Sequence, residues 1–147
     1  MVKHTGRVTD VKITHGEYED IISEIWMTFD INGYEIEAFI GELPSKVPEI
    51  GETCIVDLDI MTFDLQKVNV PKKQKLIYQL TTKDYIPDYI LVGEVLDIDR
   101  KNKRLIFDCG VKLECDIKGI NIESKAKKLK EGDWVFIMGK MYGYIEE

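Results

Sequence analysis

Between Ser23 and Gly41 apolar and polar residues alternate on either side of Asn32-Gly33. Asn-Gly favours a type I′ turn, which needs positive φ at both central residues, so this stretch predicts a β-hairpin. With Asn32 and Gly33 as the turn, Phe29 faces Ile36, Met27 faces Ala38 and Ile25 faces Ile40 on one apolar face. Thr28 with Glu37 and Asp30 with Glu35 form the opposite, polar face. That division suits a half-buried antiparallel pair. The exception is Trp26 opposite Phe39, two aromatics on the face that should meet water.

Thr5 to Ile13 reads as a preceding strand with Val8, Val11 and Ile13 inward. The change of phase after Val8 predicts a bulge near Thr9-Asp10. His15 to Asp20 is an acidic loop, and Pro44 and Pro48 break a connection over Glu42 to Glu49. Glu52 to Ile60 is a strand with Cys54, Val56, Leu58 and Ile60 inward, and Met61 to Val70 gives a fifth. Pro71 to Tyr89 interrupts the pattern with Lys72, Lys73 and Lys75, a short strand at Leu76 to Leu80, and a passage from Thr81.

The plan then repeats. Gly93-Glu94-Val95-Leu96-Asp97-Ile98 echoes Gly6-Arg7-Val8-Thr9-Asp10-Val11, Phe107-Asp108 echoes Phe29-Asp30, and Gly132-Asp133 echoes Gly51-Glu52. A three-residue turn Asp108-Cys109-Gly110 predicts Phe107 opposite Val111 and Leu105 opposite Leu113. Ser124 to Glu131 is expected as a short helix capped by Ser124. Trp134 to Met141 is a strand with Val135, Ile137 and Met141 inward and Trp134, Phe136 and Met138 on the other face; Tyr142 to Ile145 is a weak last strand.

Short strands with a bulged first strand and a central hairpin predict an all-β fold with little helix. The pattern resembles the OB-fold, the oligonucleotide- and oligosaccharide-binding barrel, in two tandem five-stranded copies from an internal duplication; an SH3-like barrel is the alternative closure. The resemblance covers residues 4–69 and 91–147. It implies a first barrel over residues 1–70, a linker with a possible extra strand over 71–90, and a second barrel over 91–147.

Charge separates the two halves. Residues 1–70 hold 5 basic and 14 acidic residues, a net of −9, and residues 71–147 hold 15 and 13, a net of +2. An acidic first half does not attract phosphate backbones. The three cysteines, Cys54, Cys109 and Cys115, are odd in number and without framework spacing, which fits reduced thiols. With no apolar signal core and no membrane-length apolar run, a cytoplasmic protein is expected.

Catalytic chemistry finds no support in the pattern. His4 and His15 stand near opposite ends of the first strand. Nothing pairs a base with a nucleophile, cradles a phosphate or sets metal-ligand spacing. A non-catalytic role without cofactor or metal is therefore expected. Two aromatic patches, Trp26 with Phe39 and Trp134 with Phe136 and Met138, suit either packing within the protein or contact with another protein or a second copy. Binding a protein partner through them is the expected function. The alternative is single-stranded nucleic-acid binding through Arg100, Lys101, Lys103, Arg104, Lys127 and Lys128, with Tyr78, Tyr85 or Tyr89 for base stacking. No membrane contact is expected.

Overall fold

A computed structural model describes residues 2–15, 22–69, 74–80 and 86–147. The acidic loop beyond His15, the Lys72-Lys73 pair and Tyr85 lie outside the described residues. The protein is mostly β, with one short helix among the described residues. Among the described residues no helix is long and apolar enough to cross a membrane.

Among the described residues nine strands are hydrogen-bonded in the order β1-β2-β3-β9-β4-β8-β7-β6-β5, with β1–β4 and β6–β9 pairing as well. They are β1 (Lys3–His15), β2 (Ile22–Ile31), β3 (Tyr34–Ile40), β4 (Thr53–Lys67), β5 (Leu76–Gln79), β6 (Asp88–Asp99), β7 (Arg104–Asp108), β8 (Lys112–Asp116) and β9 (Trp134–Ile145), with helix α1 (Ile120–Ala126) between β8 and β9. The chain forms two compact units. One consists of residues 1–58 with 142–147, the other of residues 59–141. The expected tandem boundaries put residues 59–70 with the first half and 142–147 with the second. The expected last strand of each half is instead a continuation of the strand before it: β4 runs unbroken through Met61, and β9 through Tyr142. The inward positions continue without a turn signal, through Val56, Leu58 and Ile60 in one case and Ile137, Met141 and Gly143 in the other.

In the first unit the predicted hairpin holds its register from Trp26↔Phe39 to Ile31↔Tyr34. Asn32 and Gly33 both take positive φ, 53° and 85°. The apolar face of the pair is fully buried, with Ile25, Met27, Phe29, Ile36 and Ala38 all at 0% exposure. β1 pairs antiparallel with β2 and, from Lys3 to Arg7, with β4. β3 pairs parallel with the end of β9, Phe39↔Tyr142 and Ile40↔Gly143. The Glu146 amide then donates to the Ile55 carbonyl of β4 at 2.9 Å. Val8 is buried, but Val11 is only half-buried and Ile13 is 38% exposed. This exposure has a simple cause. Pairing with β4 stops at Arg7, so the far end of β1 has β2 alone beside it among the described residues.

In the second unit β6, β7 and β8 form an antiparallel meander. β8 pairs parallel with β4 at Asp59↔Glu114 and Ile60↔Cys115, and β6 pairs antiparallel with β9 from Asp88↔Lys140 to Glu94↔Trp134. β5 adds to β6, with Leu76↔Val92 and Tyr78↔Ile90. The β7–β8 hairpin departs from expectation by two residues: Phe107 faces Leu113 and Leu105 faces Cys115. The loop comprises Cys109, Gly110 and Val111, with Gly110 at φ 110°. A shift of two preserves the inward set, so Val111, Leu113, Cys115 and Ile117 are still buried. The helix also differs. It starts four residues before Ser124, at Ile120, with Gly119 preceding it and no side-chain cap. Burial of Ile122 and Ala126 one turn apart, with Leu129 beyond, selects this span.

The likeness between the two units extends to the bulges. β1 slips between Val8 and Asp10, and β6 between Val95 and Asp97. In each unit the valine before the bulge exchanges two backbone bonds with a glycine-acid pair. Val8 bonds Gly51 and Glu52, both at 2.8 Å, and Val95 bonds Gly132 and Asp133 at 2.9 and 2.8 Å.

Candidate binding surfaces

Cross-strand register builds an aromatic row on the outer face of the first unit. Lys12 on β1, Trp26 on β2, Phe39 on β3 and Tyr142 on β9 stand in succession. The Trp26 and Phe39 rings meet edge to face at 5.7 Å and 67°, and Phe39 meets Tyr142 at 6.2 Å and 87°. All three rings are half-buried. Tyr144, 37% exposed, has its ring at Gly41, where an added Cβ would lie 2.9 Å away. Around the row stand Asp10, Glu24, Asp30, Glu35 and Glu37. Lys12 Nζ pairs with Glu37 Oε2 at 3.1 Å, and Arg7 with Asp30 at 3.6 Å. The Trp26–Phe39 pair was legible in the sequence. Tyr142 was not, because a parallel partner distant in sequence leaves no local signal.

The second unit carries an apolar face built the same way. Leu76, Val92 and Phe136 form one row across β5, β6 and β9, and Tyr78, Ile90 and Met138 form the next. Glu94 with Trp134 bounds one end. The other end is bounded by Lys140, whose Nζ lies 2.9 Å from Asp88 Oδ1 and 5.2 Å from the centre of the Phe63 ring. Trp134, Phe136 and Met138 are half-buried, while Leu76 is 42% and Tyr78 53% exposed. The alternation of β9 pointed to the first three; the register of β5 against β6 adds Leu76 and Tyr78.

The six basic candidates do not share one situation. Arg100 donates to the carbonyls of Ala126 (3.2 Å) and Leu129 (2.7 Å), tying down the C-terminal end of α1. Lys103 pairs with Glu123 at 2.6 Å. Arg104 is held by Asp59 and, at 3.4 Å, by Glu114. Burial disfavours its charge, but the two carboxylates outweigh this and raise its pKa further above the usual arginine value. Lys101, Lys127 and Lys128 are exposed. Arg100, Lys103 and Lys127 line a cavity of about 220 Å³ with Ile117, Glu123 and Ala126. Lys128 belongs to a wider cavity of about 480 Å³, lined also by Gln66, Lys67, Asn69, Ser124 and Lys125. Of the tyrosines expected to stack on bases, Tyr89 is 1% exposed and its hydroxyl lies 3.4 Å from Gln79 Oε1, so it is a core residue.

The cysteines are packing groups. Burial pushes the thiols of both Cys109 and Cys115 up to about 12, away from thiolate chemistry at neutral pH. Cys109 lies in the turn yet is buried, because the β7–β8 loop folds its Sγ toward the Val111 carbonyl at 3.4 Å. Cys54 is half-buried rather than fully inward, and its thiol is also raised by burial.

No protein-family model matches the chain, and neither a curated protein nor a solved structure is significantly similar to it.

Proposed function

We propose that this chain is a non-catalytic protein-binding module made of two OB-like five-stranded barrels. The OB-like reading is supported by the strand plan common to both units. In each, three antiparallel strands are flanked by a fourth strand paired antiparallel with the first and a fifth paired parallel with the third. The fifth strand of the first unit is the end of β9, and that of the second is the end of β4.

The observation that carries the binding role is the pair of apolar rows Leu76–Val92–Phe136 and Tyr78–Ile90–Met138 on the outside of the second unit. Partly exposed aromatic, methionine and branched side chains in adjacent rows make a surface suited to a protein partner. The test places a photo-cross-linking amino acid at position 78 of the full chain in cells. Discrete protein adducts are expected, and the double variant Phe136→Ser, Met138→Ser abolishes them. Absence of adducts, or adducts indifferent to the double variant, rejects the reading.

The larger cavity supports a second reading, single-stranded nucleic-acid binding, because exposed Lys128 lines it with three neutral hydrogen-bonding side chains and with Lys67 and Lys125, whose charges are shared with Asp133 and Asp64. Titration with labelled oligothymidylate separates the two. Phosphate binding weakens steeply with salt as counterions are released, whereas an apolar protein contact does not.

A further inference from the structure

We infer that the Trp26–Phe39–Tyr142 face binds an arginine-bearing segment of a partner protein, an inference that rests on reading the chain as a protein-binding module. The first unit holds 4 basic and 14 acidic residues, a net of −10. Five of those carboxylates, on Asp10, Glu24, Asp30, Glu35 and Glu37, share the outer face with the aromatic row. Among the described residues the facing cations are Arg7 and Lys12, already beside Asp30 and Glu37. The field over the rings therefore favours a cation and disfavours a phosphate.

Ring geometry points the same way. Neighbouring rings are turned 67° and 87° from one another, so they offer no continuous flat platform for successive bases. A guanidinium needs only one ring face at a time, drawn by its quadrupole. One acceptor is also unspent. Glu24 Oε1 accepts from the Thr14 hydroxyl at 3.0 Å. Glu24 Oε2 is buried with no hydrogen-bond partner among the described residues. A buried carboxylate oxygen without a donor is costly. Glu24 lies one row from Trp26 on the same face, so its carboxylate adds to the negative field beside that ring. Arginine suits the site better than lysine, because its planar fork stacks on an aromatic face while donating to a carboxylate.

The test uses the full chain and a fluorescein-labelled twelve-residue peptide alternating arginine and serine, followed by fluorescence anisotropy at about physiological salt, where diffuse charge attraction is screened. Saturable binding is expected, severalfold weaker for the lysine–serine peptide and absent for glutamate–serine. Trp26→Ser and Glu24→Gln should each weaken it about tenfold, the size of one lost cation–π or charged hydrogen-bond contact. Circular dichroism checks the fold. If Trp26→Ser does not fold, the near-isosteric Glu24→Gln and Phe39→Leu give the same reading. Binding unchanged within twofold in the folded variants would mean diffuse attraction and overturn the inference, as would no binding at all. Self-association in sedimentation that Trp26→Ser dissolves would assign the face to a second copy and also overturn it. Cross-links at position 78 report on the second unit's face, so their survival shows that only this inference has failed.

Discussion

Gly93 illustrates how single positions carry the fold. A Cβ there would collide with the Asp108 carbonyl and come within 2.9 Å of the Cys109 amide, both rigid backbone. Its counterpart Gly6 faces mainly the Phe29 and Ile31 side chains, the nearest atom at 3.1 Å. Gly93→Ala should therefore cost about 3 kcal/mol, by forcing two strands apart, and Gly6→Ala about 1 kcal/mol or less. Urea denaturation of the two variants checks the order; equal losses would mean that the two bulged strands are equally crowded. Asp108 supplies a pH prediction. A hydrogen bond from Lys75 at 2.7 Å, then one from the Gly110 amide at 2.9 Å, hold its carboxyl below the ordinary 3.8. The unfolded chain thus takes up this proton first as acid is added. The stabilisation is full above pH 3.8 and is lost as pH falls through the lower folded value. Asp64 behaves alike through Lys125, whereas half-buried Asp116 is raised by desolvation, so its ionisation weakens the fold as pH climbs past 3.8. Lys75→Met should flatten the acid side of a plot of unfolding free energy against pH without moving the neutral plateau by more than about 1 kcal/mol, because the pair is partly exposed.

At the scale of elements, helix α1 depends on an anchor outside itself. It has seven residues and no side-chain N-cap, too short to be stable alone. Burial of Ile122, Ala126 and Leu129 holds one side of this segment. Arg100 satisfies the carbonyls of Ala126 and Leu129 at its end. Arg100→Met keeps the length of the side chain and removes both donors. It should cost about 2 kcal/mol, the scale of hydrogen bonds to a charged group, with faster amide exchange confined to residues 120–129. Uniform acceleration across the β-strands would show that Arg100 acts on the whole unit. The basic pattern around residues 100–104 looked in sequence like one cationic loop. Arg100 and Arg104 in fact face different partners, a carbonyl pair and a carboxylate pair. Composition reports charge, but only the fold reports what that charge is already neutralising.

For the whole molecule the consequential feature is that β4 and β9 each belong to both units. The first unit is complete only with residues 142–147. Gly143 accepts from the Gly41 amide at 3.1 Å, and Glu146 donates to Ile55 at 2.9 Å. A chain ending at Met141 should therefore lose about 2 kcal/mol, from two backbone bonds at roughly 1 kcal/mol each, plus the packing of Tyr142 against Phe39. A fragment of residues 1–70 should fail to melt cooperatively, which calorimetry reads directly. A sharp transition in that fragment would mean that residues 59–70 can replace the end of β9.

The sequence by itself determined what is local. The Asn32-Gly33 turn, the register of its hairpin, the bulge after Val8 and the recurrence of that plan from Gly93 all follow from period-two patterning and turn chemistry, which act over a few residues. The Trp26–Phe39 pair was legible for the same reason. The partner of each long strand was decided only by the tertiary structure. Parallel pairing of β3 with β9 and of β8 with β4 joins residues 55 or more positions apart, and no alternation of residues encodes which distant edge a strand will meet. The same alternation suits a strand that turns back and one that runs on. The β7–β8 register shows the limit on a smaller scale: a slip of two residues leaves every side chain on its own face, so packing of the loop, not pattern, selects it.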